Sequence, residues 1–134
     1  MVLFRKRREH QELVTKMAVR FLDLLRMGWH VAHQGVPISE AIELTATMIG
    51  EICEGWKYNR KRQTLTLDGT MVIRVADCQT LSALVEIVLA MEFAIKGYDV
   101  AACRKAWEEA APCVEHSLET NRPGWVEVLT KHRE

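Results

Sequence analysis

Residues 64–75, TLTLDGTMVIRV, distinguish this chain from an all-helical one, because apolar and polar residues alternate here whereas the segments on both sides follow a helical period. Two short runs rich in Thr, Leu, Ile and Val flank Asp68 and Gly69, a pair typical of tight turns between antiparallel strands. The pattern predicts one β-hairpin over about residues 63–76. Because an isolated hairpin is only marginally stable in water, we expect it to pack on helices or to pair with another chain.

Two registers of this hairpin compete. A two-residue turn at Asp68 and Gly69 pairs Thr66 with Met71 and leaves polar and apolar side chains mixed on both faces. A three-residue loop with Gly69 in the left-handed conformation pairs Leu65 with Met71 and collects the apolar side chains on one face. We favour the second register because the buried face of a strand determines its register.

Helical periodicity flanks the hairpin on both sides. The predicted helices cover about residues 5–33, 38–56, 78–96 and 100–111, followed by a short segment from Pro112 to about 120 and a last piece around Trp125–Leu129. Asp77 and Asp99 are the predicted N-caps of the third and fourth helices. The sequence therefore predicts a mainly α protein, a compact bundle of about five helices with one β-hairpin inserted after the second helix, in a single domain over residues 1–134.

The length of the first predicted helix indicates self-association. A helix of about 29 residues is roughly 43 Å long, whereas a compact chain of this size is roughly 35 Å across. The helix therefore protrudes, kinks or lies along a partner, and the hairpin adds an open strand edge. We expect a homo-oligomer that also binds a protein partner, with contacts at Phe21, Leu25, Trp29, Ala32, Val72 and Arg74.

Charge is balanced overall but unevenly distributed. Residues 1–74 carry 12 Lys and Arg against 8 Asp and Glu, whereas residues 75–134 carry 6 against 10. The longest apolar stretch, residues 81–95, is interrupted by Glu86 and Glu92 and is too short to cross a bilayer. No signal-peptide pattern is present, and none of the four cysteines forms a C-x-x-C pair. We therefore expect a cytoplasmic protein with free thiols that does not enter a membrane.

Two basic segments, 5–8 and 57–62, suggest an alternative function. The second lies beside aromatic residues, whose rings can stack on bases while the cations neutralise phosphates. The alternative is therefore a nucleic-acid-binding accessory protein. Its candidate contact residues are Arg5, Lys6, Arg7, Arg8, Lys57, Tyr58, Arg60, Lys61 and Arg62.

Enzymatic chemistry is the third interpretation. The second helix carries four glutamates on one face that could bind Mg²⁺ together, although an acidic face opposite an apolar one is also typical of a solvent-exposed helix. These are Glu40, Glu43, Glu51 and Glu54. His30 and His33 form an H-x-x-H pair that could orient two imidazoles towards a metal ion. If Glu86 or Glu92 is buried, we expect it to have a partner or a raised pKa.

A short pattern also resembles a ribonuclease family. The spacings Arg26-x6-His33 and Arg5-x4-His10 resemble the Arg-(x4–6)-His pattern of HEPN ribonucleases. That resemblance implies RNA cleavage at the dimer cleft of an all-helical fold. Met27 and Lys6 stand where the family has a polar residue after the arginine.

No nucleophile motif, glycine-rich phosphate loop or reactive-cysteine motif is present in the sequence. We therefore assign no catalytic residue, no cofactor and no metal ligand. The function that the sequence favours is that of a non-enzymatic, small helical interaction, adaptor or regulatory protein that self-associates.

Overall fold

The structure is a computed structural model that describes residues 2–32 and 34–134. Five α-helices, a three-stranded antiparallel sheet and one short 3₁₀ turn make up the described chain. In chain order they are α1 (Val2–Ala32), α2 (Ile38–Ile52), β1 (Trp56–Asn59), β2 (Thr64–Leu67), β3 (Met71–Arg74), the 3₁₀ turn (Val75–Asp77), α3 (Leu81–Ile95), α4 (Val100–Asn121) and α5 (Trp125–Thr130). The predicted fold class is confirmed, and the sheet after α2 has one strand more than the predicted hairpin.

Helix α3 lies at the centre of one continuous apolar core, in contact with α1, α2, α4 and α5. Thr80 caps its first turn, since its side-chain oxygen accepts a hydrogen bond from the backbone N–H of Ala83 at 2.9 Å. The prediction of Asp77 as the cap was therefore wrong, because residues 75–77 form the 3₁₀ turn instead. Asp99 caps α4 as predicted, with its carboxylate 2.9 Å from the N–H of Ala102.

Helix α4 continues through Pro112, which was predicted to start a separate segment. A proline inside a helix leaves the carbonyl four residues earlier without its N–H partner. Pro112 and Glu108 are both exposed, so water can satisfy that carbonyl. Beyond the proline, Val114 is buried again and draws the helix back onto the core.

Strand β1 replaces what was predicted as the end of α2 and a basic connector. Helix α2 ends at Ile52 and the chain turns at Gly55, whose φ is +83°. Gly50 permits this arrangement, because a Cβ atom there would lie 2.7 Å from the backbone nitrogen of Tyr58. The absence of a side chain at residue 50 lets β1 pack directly on the backbone of α2.

The hairpin of β2 and β3 has neither of the two predicted registers. Leu65 pairs with Ile73 and Leu67 with Met71, so the loop consists of residues 68–70. The preferred three-residue loop is correct in length, and the pairing is shifted by two residues along β3. The shift keeps every side chain on its predicted face, because side chains alternate with a period of two.

Candidate functional site

The three strands form a sheet with two distinct faces, and the outer face is polar and basic. Strand pairing aligns Lys57 with Thr66 and Val72 in one row, and Asn59 with Thr64 and Arg74 in the next. The two threonines are half-buried, whereas the other four side chains are exposed. The inner face carries the residues that pack on the helices: Trp56, Tyr58, Leu65, Leu67, Met71 and Ile73.

The loop between β1 and β2 presents three consecutive cations. Arg60, Lys61 and Arg62 are all exposed, and none forms an ion pair with a side chain in residues 2–32 or 34–134. The loop is held by a hydrogen bond of 3.1 Å from the backbone N–H of Arg62 to the side-chain oxygen of Asn59. Gln63 closes it in a left-handed conformation with a φ of +53°. The loop therefore holds these cations at the tip of a hairpin.

Strand β3 is an open edge of the sheet. The backbone N–H of Val75 donates to the carbonyl of Gln63 at 2.9 Å. Because hydrogen-bonded and non-hydrogen-bonded pairs alternate along an antiparallel ladder, Ile73 also bonds to β2. The N–H and C=O groups of Val72 and Arg74 therefore point away from β2. Within the described residues no hydrogen bond reaches these outward backbone groups.

A partly buried charge cluster lies behind the inner face. Arg20 donates two hydrogen bonds to Glu92, Nε to Oε1 at 2.6 Å and Nη2 to Oε2 at 2.7 Å. The indole N–H of Trp56 donates to Oε2 of the same carboxylate at 2.9 Å. Nη2 of Arg20 also lies 3.6 Å from the sulfur of Cys53. The cluster joins α1, α3 and β1, and three of its members, Arg20, Cys53 and Glu92, line a cleft of about 570 Å³.

The hydrogen bonds of this cluster explain its protonation states. Burial acts to raise the pKa of Glu92, but the hydrogen bonds from Arg20 and Trp56 outweigh it and lower that pKa below its ordinary value. The hydrogen bond to Glu92 raises the pKa of Arg20. Burial raises the pKa of the Cys53 thiol, which keeps the sulfur protonated at neutral pH. The polar groups of the cluster hydrogen-bond one another, as expected of an ion pair with a structural role.

The expectation that a buried glutamate of α3 has a partner is confirmed for Glu92. Its neighbour Glu86 is half-buried and accepts a hydrogen bond of 3.1 Å from the indole N–H of Trp107. The spacing of apolar residues in α3 could not indicate which cation faces Glu92, because Arg20 lies on a different helix 72 residues earlier in the chain.

Two of the contact residues predicted on α1 are buried, and a third, Trp29, is half-buried. Phe21 and Leu25 are 3% and 1% exposed and belong to the chain's own core, so they offer no surface to a second copy. Phe21 packs on Trp107 with ring centroids 4.6 Å apart, and Trp29 packs on Trp125 at 3.8 Å. The side chain of Ala32 lies outside the described residues. The remaining two predicted contacts, Val72 and Arg74, are exposed on β3.

The two predicted basic segments do not form one surface. Arg5, Lys6, Arg7 and Arg8 are exposed on the first turns of α1, about 20 Å along the helix from Arg20, which lies beside the C-terminal end of α2. The loop of residues 60–63 lies near the opposite end of α2, where Gln63 lines a cleft with Ser39 and Glu40. The basic segments therefore lie at opposite ends of the α1–α2 pair.

The two aromatic residues beside the second basic segment, Trp56 and Tyr58, were predicted to stack on bases but face the helices instead. Trp56 is 3% exposed and its N–H is bound to Glu92. Tyr58 is half-buried on the inner face, with its hydroxyl 3.4 Å from Oε1 of Glu43. Burial is the main reason that the pKa of Tyr58 is raised. Neither ring is available to a ligand on the outer face.

The residues predicted to bind a metal ion or to cleave RNA do not form a cluster among the described residues. Within the described residues, no group of three or more His, Cys, Asp or Glu side chains is arranged to hold a metal ion. Arg26 is exposed beside Asp23, at 3.9 Å, and His33 lies outside the described residues, as does the side chain of His30. His10 hydrogen-bonds Glu109 of α4, and Arg5 lies 3.8 Å from Glu9.

Comparison of the chain with protein-family models, with curated proteins and with solved structures finds no match. Among the helices that the structure describes, none combines the length and the apolar character needed to cross a bilayer.

Proposed function

We propose that this protein is a non-enzymatic interaction protein that self-associates through the edge of strand β3. The observation that carries the proposal is the row of outward backbone groups at Val72 and Arg74, next to an exposed apolar side chain on a short, uncovered strand. Open strand edges are templates for pairing with another chain. We place the protein in the cytoplasm as part of this proposal, since its four cysteines are free thiols.

A two-fold axis at Ile73 lets the outward backbone groups of both copies form hydrogen bonds. In that antiparallel pairing, Val72 of one copy lies opposite Arg74 of the other, and these are the positions whose backbone groups point outward. The aliphatic stem of Arg74 then covers Val72, which is 57% exposed in the isolated chain. The two arginines do not face each other directly, so the register avoids a like-charge pair. The result is a six-stranded sheet that continues through both copies.

The size of this interface predicts a reversible dimer. Four new backbone hydrogen bonds contribute about 0.5–1.5 kcal/mol each, whereas association of two proteins costs at least about 4 kcal/mol in lost translational and rotational freedom. The contact between Val72 and Arg74 adds only a small apolar area. We therefore expect a dimer that dissociates on dilution.

Sedimentation velocity over a range of concentrations tests the proposal. Val72→Pro removes the outward N–H without touching the β2–β3 ladder, and we expect it to remain monomeric at concentrations where the native chain dimerises. Val72→Ala is the matched control, because it shortens the same side chain and keeps the N–H. We expect it to dimerise, with a modestly weaker affinity.

Far-UV circular dichroism establishes that each variant is folded. If Val72→Pro unfolds the sheet, Arg74→Pro removes the next outward N–H of the same edge and takes its place. A native chain that stays monomeric at all concentrations would contradict the proposal. So would a dimer that persists in a folded proline variant.

A further inference from the structure

We infer that the outer face of the sheet and the β1–β2 loop together form a binding surface for the phosphate backbone of double-stranded nucleic acid. The surface consists of Arg60, Lys61 and Arg62 at the loop, with Lys57 and Arg74 on the adjoining face. Dimerisation is not required for this contact, so the inference is independent of the proposed self-association.

The concentration of positive charge carries the first step. Residues 56–75 contain five Lys and Arg and one acidic residue, Asp68, whereas the whole chain has a net charge of zero. Strand pairing places Lys57 and Arg74 in adjacent rows of the outer face, and the β1–β2 loop follows Asn59, whose row includes Arg74. A local basic patch of this kind attracts phosphates even when the total charge is balanced.

These cations are also exposed and weakly paired. All five are exposed, and the three in the loop have no acidic partner within the described residues. Arg74 lies 3.5 Å from Asp77, an exposed pair that a phosphate can replace at little energetic cost. This contrasts with Arg20, whose charge is neutralised inside the protein by Glu92.

The positions of the aromatic rings favour a duplex over a single strand. The β1–β2 hairpin belongs to a three-stranded sheet whose inner face packs on the helices, so only its loop and outer face can meet a nucleic acid. Cations on such a face contact the phosphates at the outside of a duplex. Single strands are usually bound by stacking of bases on aromatic rings. The aromatic residues of β1, Trp56 and Tyr58, lie on the inner face and cannot supply that contact.

The residues around the loop argue against a lipid surface. Interfacial membrane binding is strengthened by apolar side chains that enter the headgroup region beside the cations. Among the described residues on the outer face of the sheet, Val72 is the one exposed apolar side chain. The loop is bordered by Asn59, Gln63 and Thr64, all polar. Glu40 and Glu43 line the small cleft behind the loop, on the side of α2. The basic outer face is therefore the side that meets a phosphate backbone.

Fluorescence anisotropy of a labelled duplex tests this inference, with the full chain as the native protein. We expect the triple variant Arg60→Glu, Lys61→Glu, Arg62→Glu to lose about 100-fold or more in affinity at low salt, because three phosphate contacts and their released counterions are lost. The matched control is Arg5→Glu, Arg7→Glu, Arg8→Glu, which makes the same change in net charge at the far end of α1. We expect its affinity to stay within about threefold of the native value.

The salt dependence gives a second readout. If all five cations contact phosphates, raising the salt from about 50 to about 200 mM weakens binding by about 500-fold, and the loop variant reduces the slope of log K against log salt by about 2.7. The glutamine variants of the same three residues provide a second test if the glutamate variant does not fold. Equal affinity of the native chain and a folded loop variant would overturn the inference.

Two further arms exclude other sources of the signal. Binding to vesicles containing phosphatidylserine in the absence of duplex binding would overturn the inference in favour of a lipid surface. Val72→Pro is expected to bind the duplex even if it is monomeric, since none of the five cations is changed. Failure of self-association with intact duplex binding would therefore contradict the proposed function alone.

Discussion

The two faces of the three-stranded sheet differ in whether their charged groups are paired. On the inner side, the carboxylate of Glu92 receives hydrogen bonds from Arg20 and from Trp56, and both Glu92 and Trp56 are buried. On the outer side, Lys57 is exposed and the loop cations have no acidic partner among the described residues. The difference indicates that the inner charges hold the elements together, while the outer charges remain available to a ligand.

This contrast follows from a period of two residues along each strand. Leu65 and Thr66 are neighbours in β2, yet one is fully buried and the other faces outward. A charge that enters the interior without a partner is strongly unfavourable, so the inner face accepts ions only in pairs. The outer face has no such restriction, and there the charge is unbalanced.

Substitutions at two adjacent residues of β2 should show the greatest difference in stability between the two faces. Leu65→Ala leaves a cavity under the sheet and should lower the free energy of unfolding by about 3 kcal/mol. Thr66→Ala, on the outer face of the same strand, should change it by about 0.5 kcal/mol or less. Urea denaturation measures both values. Equal losses at the two positions would show that the outer face is packed as tightly as the inner one.

The buried ion pair is expected to give the next largest effect. Glu92→Gln leaves the guanidinium of Arg20 without a counter-charge and should lower the free energy of unfolding by about 2 kcal/mol, less than for a fully buried pair because Arg20 reaches solvent. Glu86→Gln is the matched control on α3, and about 0.5 kcal/mol is expected there. A loss at Glu92 no larger than at Glu86 would contradict the stabilising role of the pair.

The same variant should alter the pH dependence of stability. The pKa of Glu92 is lower in the folded chain than its ordinary value of 4.5, so its contribution is present above that value and is lost as the pH falls through the folded pKa. The difference between the native chain and Glu92→Gln should therefore shrink on acidification. Denaturation series at neutral and acidic pH measure this difference. A difference that grows in acid would contradict a lowered pKa of Glu92 in the folded chain.

The smallest expected effect concerns the contact between the sheet and α2. Gly50→Ala places a Cβ atom 2.7 Å from the backbone of Tyr58, and β1 must move away. Overpacking exceeds the gain in helix propensity, with a net loss of about 1 kcal/mol. In Gly28→Ala the new atom meets only side-chain ends of Leu81 and Thr45 at 3.1 Å, so a change near zero is expected. Thermal denaturation of both variants compares them, and no loss at Gly50 would mean that the sheet adapts freely.

Much of the fold could be predicted because its signals are local. The apolar period of α1 and the cap at Asp99 each act within a few residues. They placed the helices and the hairpin in the correct order. Even Pro112, a local stop signal, was overridden by the burial of Val114 two residues beyond it.

The candidate surface was predicted only in part. The cations at residues 57–62 are visible in the sequence, but their run of charge concealed the alternation of Trp56 and Tyr58 that makes β1 a strand. Arg74 was assigned to self-association alone, because nothing in the sequence aligned it with Asn59. The α1 residues Phe21 and Leu25 were assigned to a partner because their stripe gave no indication that α4 covers it.

Local signals in the sequence were therefore enough to place the helices approximately, to locate the hairpin of β2 and β3 and to show how the charge is distributed. Three features depend on tertiary contacts: Gly50 admits a third strand, Ile73 rather than Met71 pairs with Leu65, and Arg20 neutralises Glu92. The physical reason is the range of the interactions. Helix periods and caps arise from residues close in the chain, whereas strand register and buried ion pairs depend on residues that meet only when the core is formed.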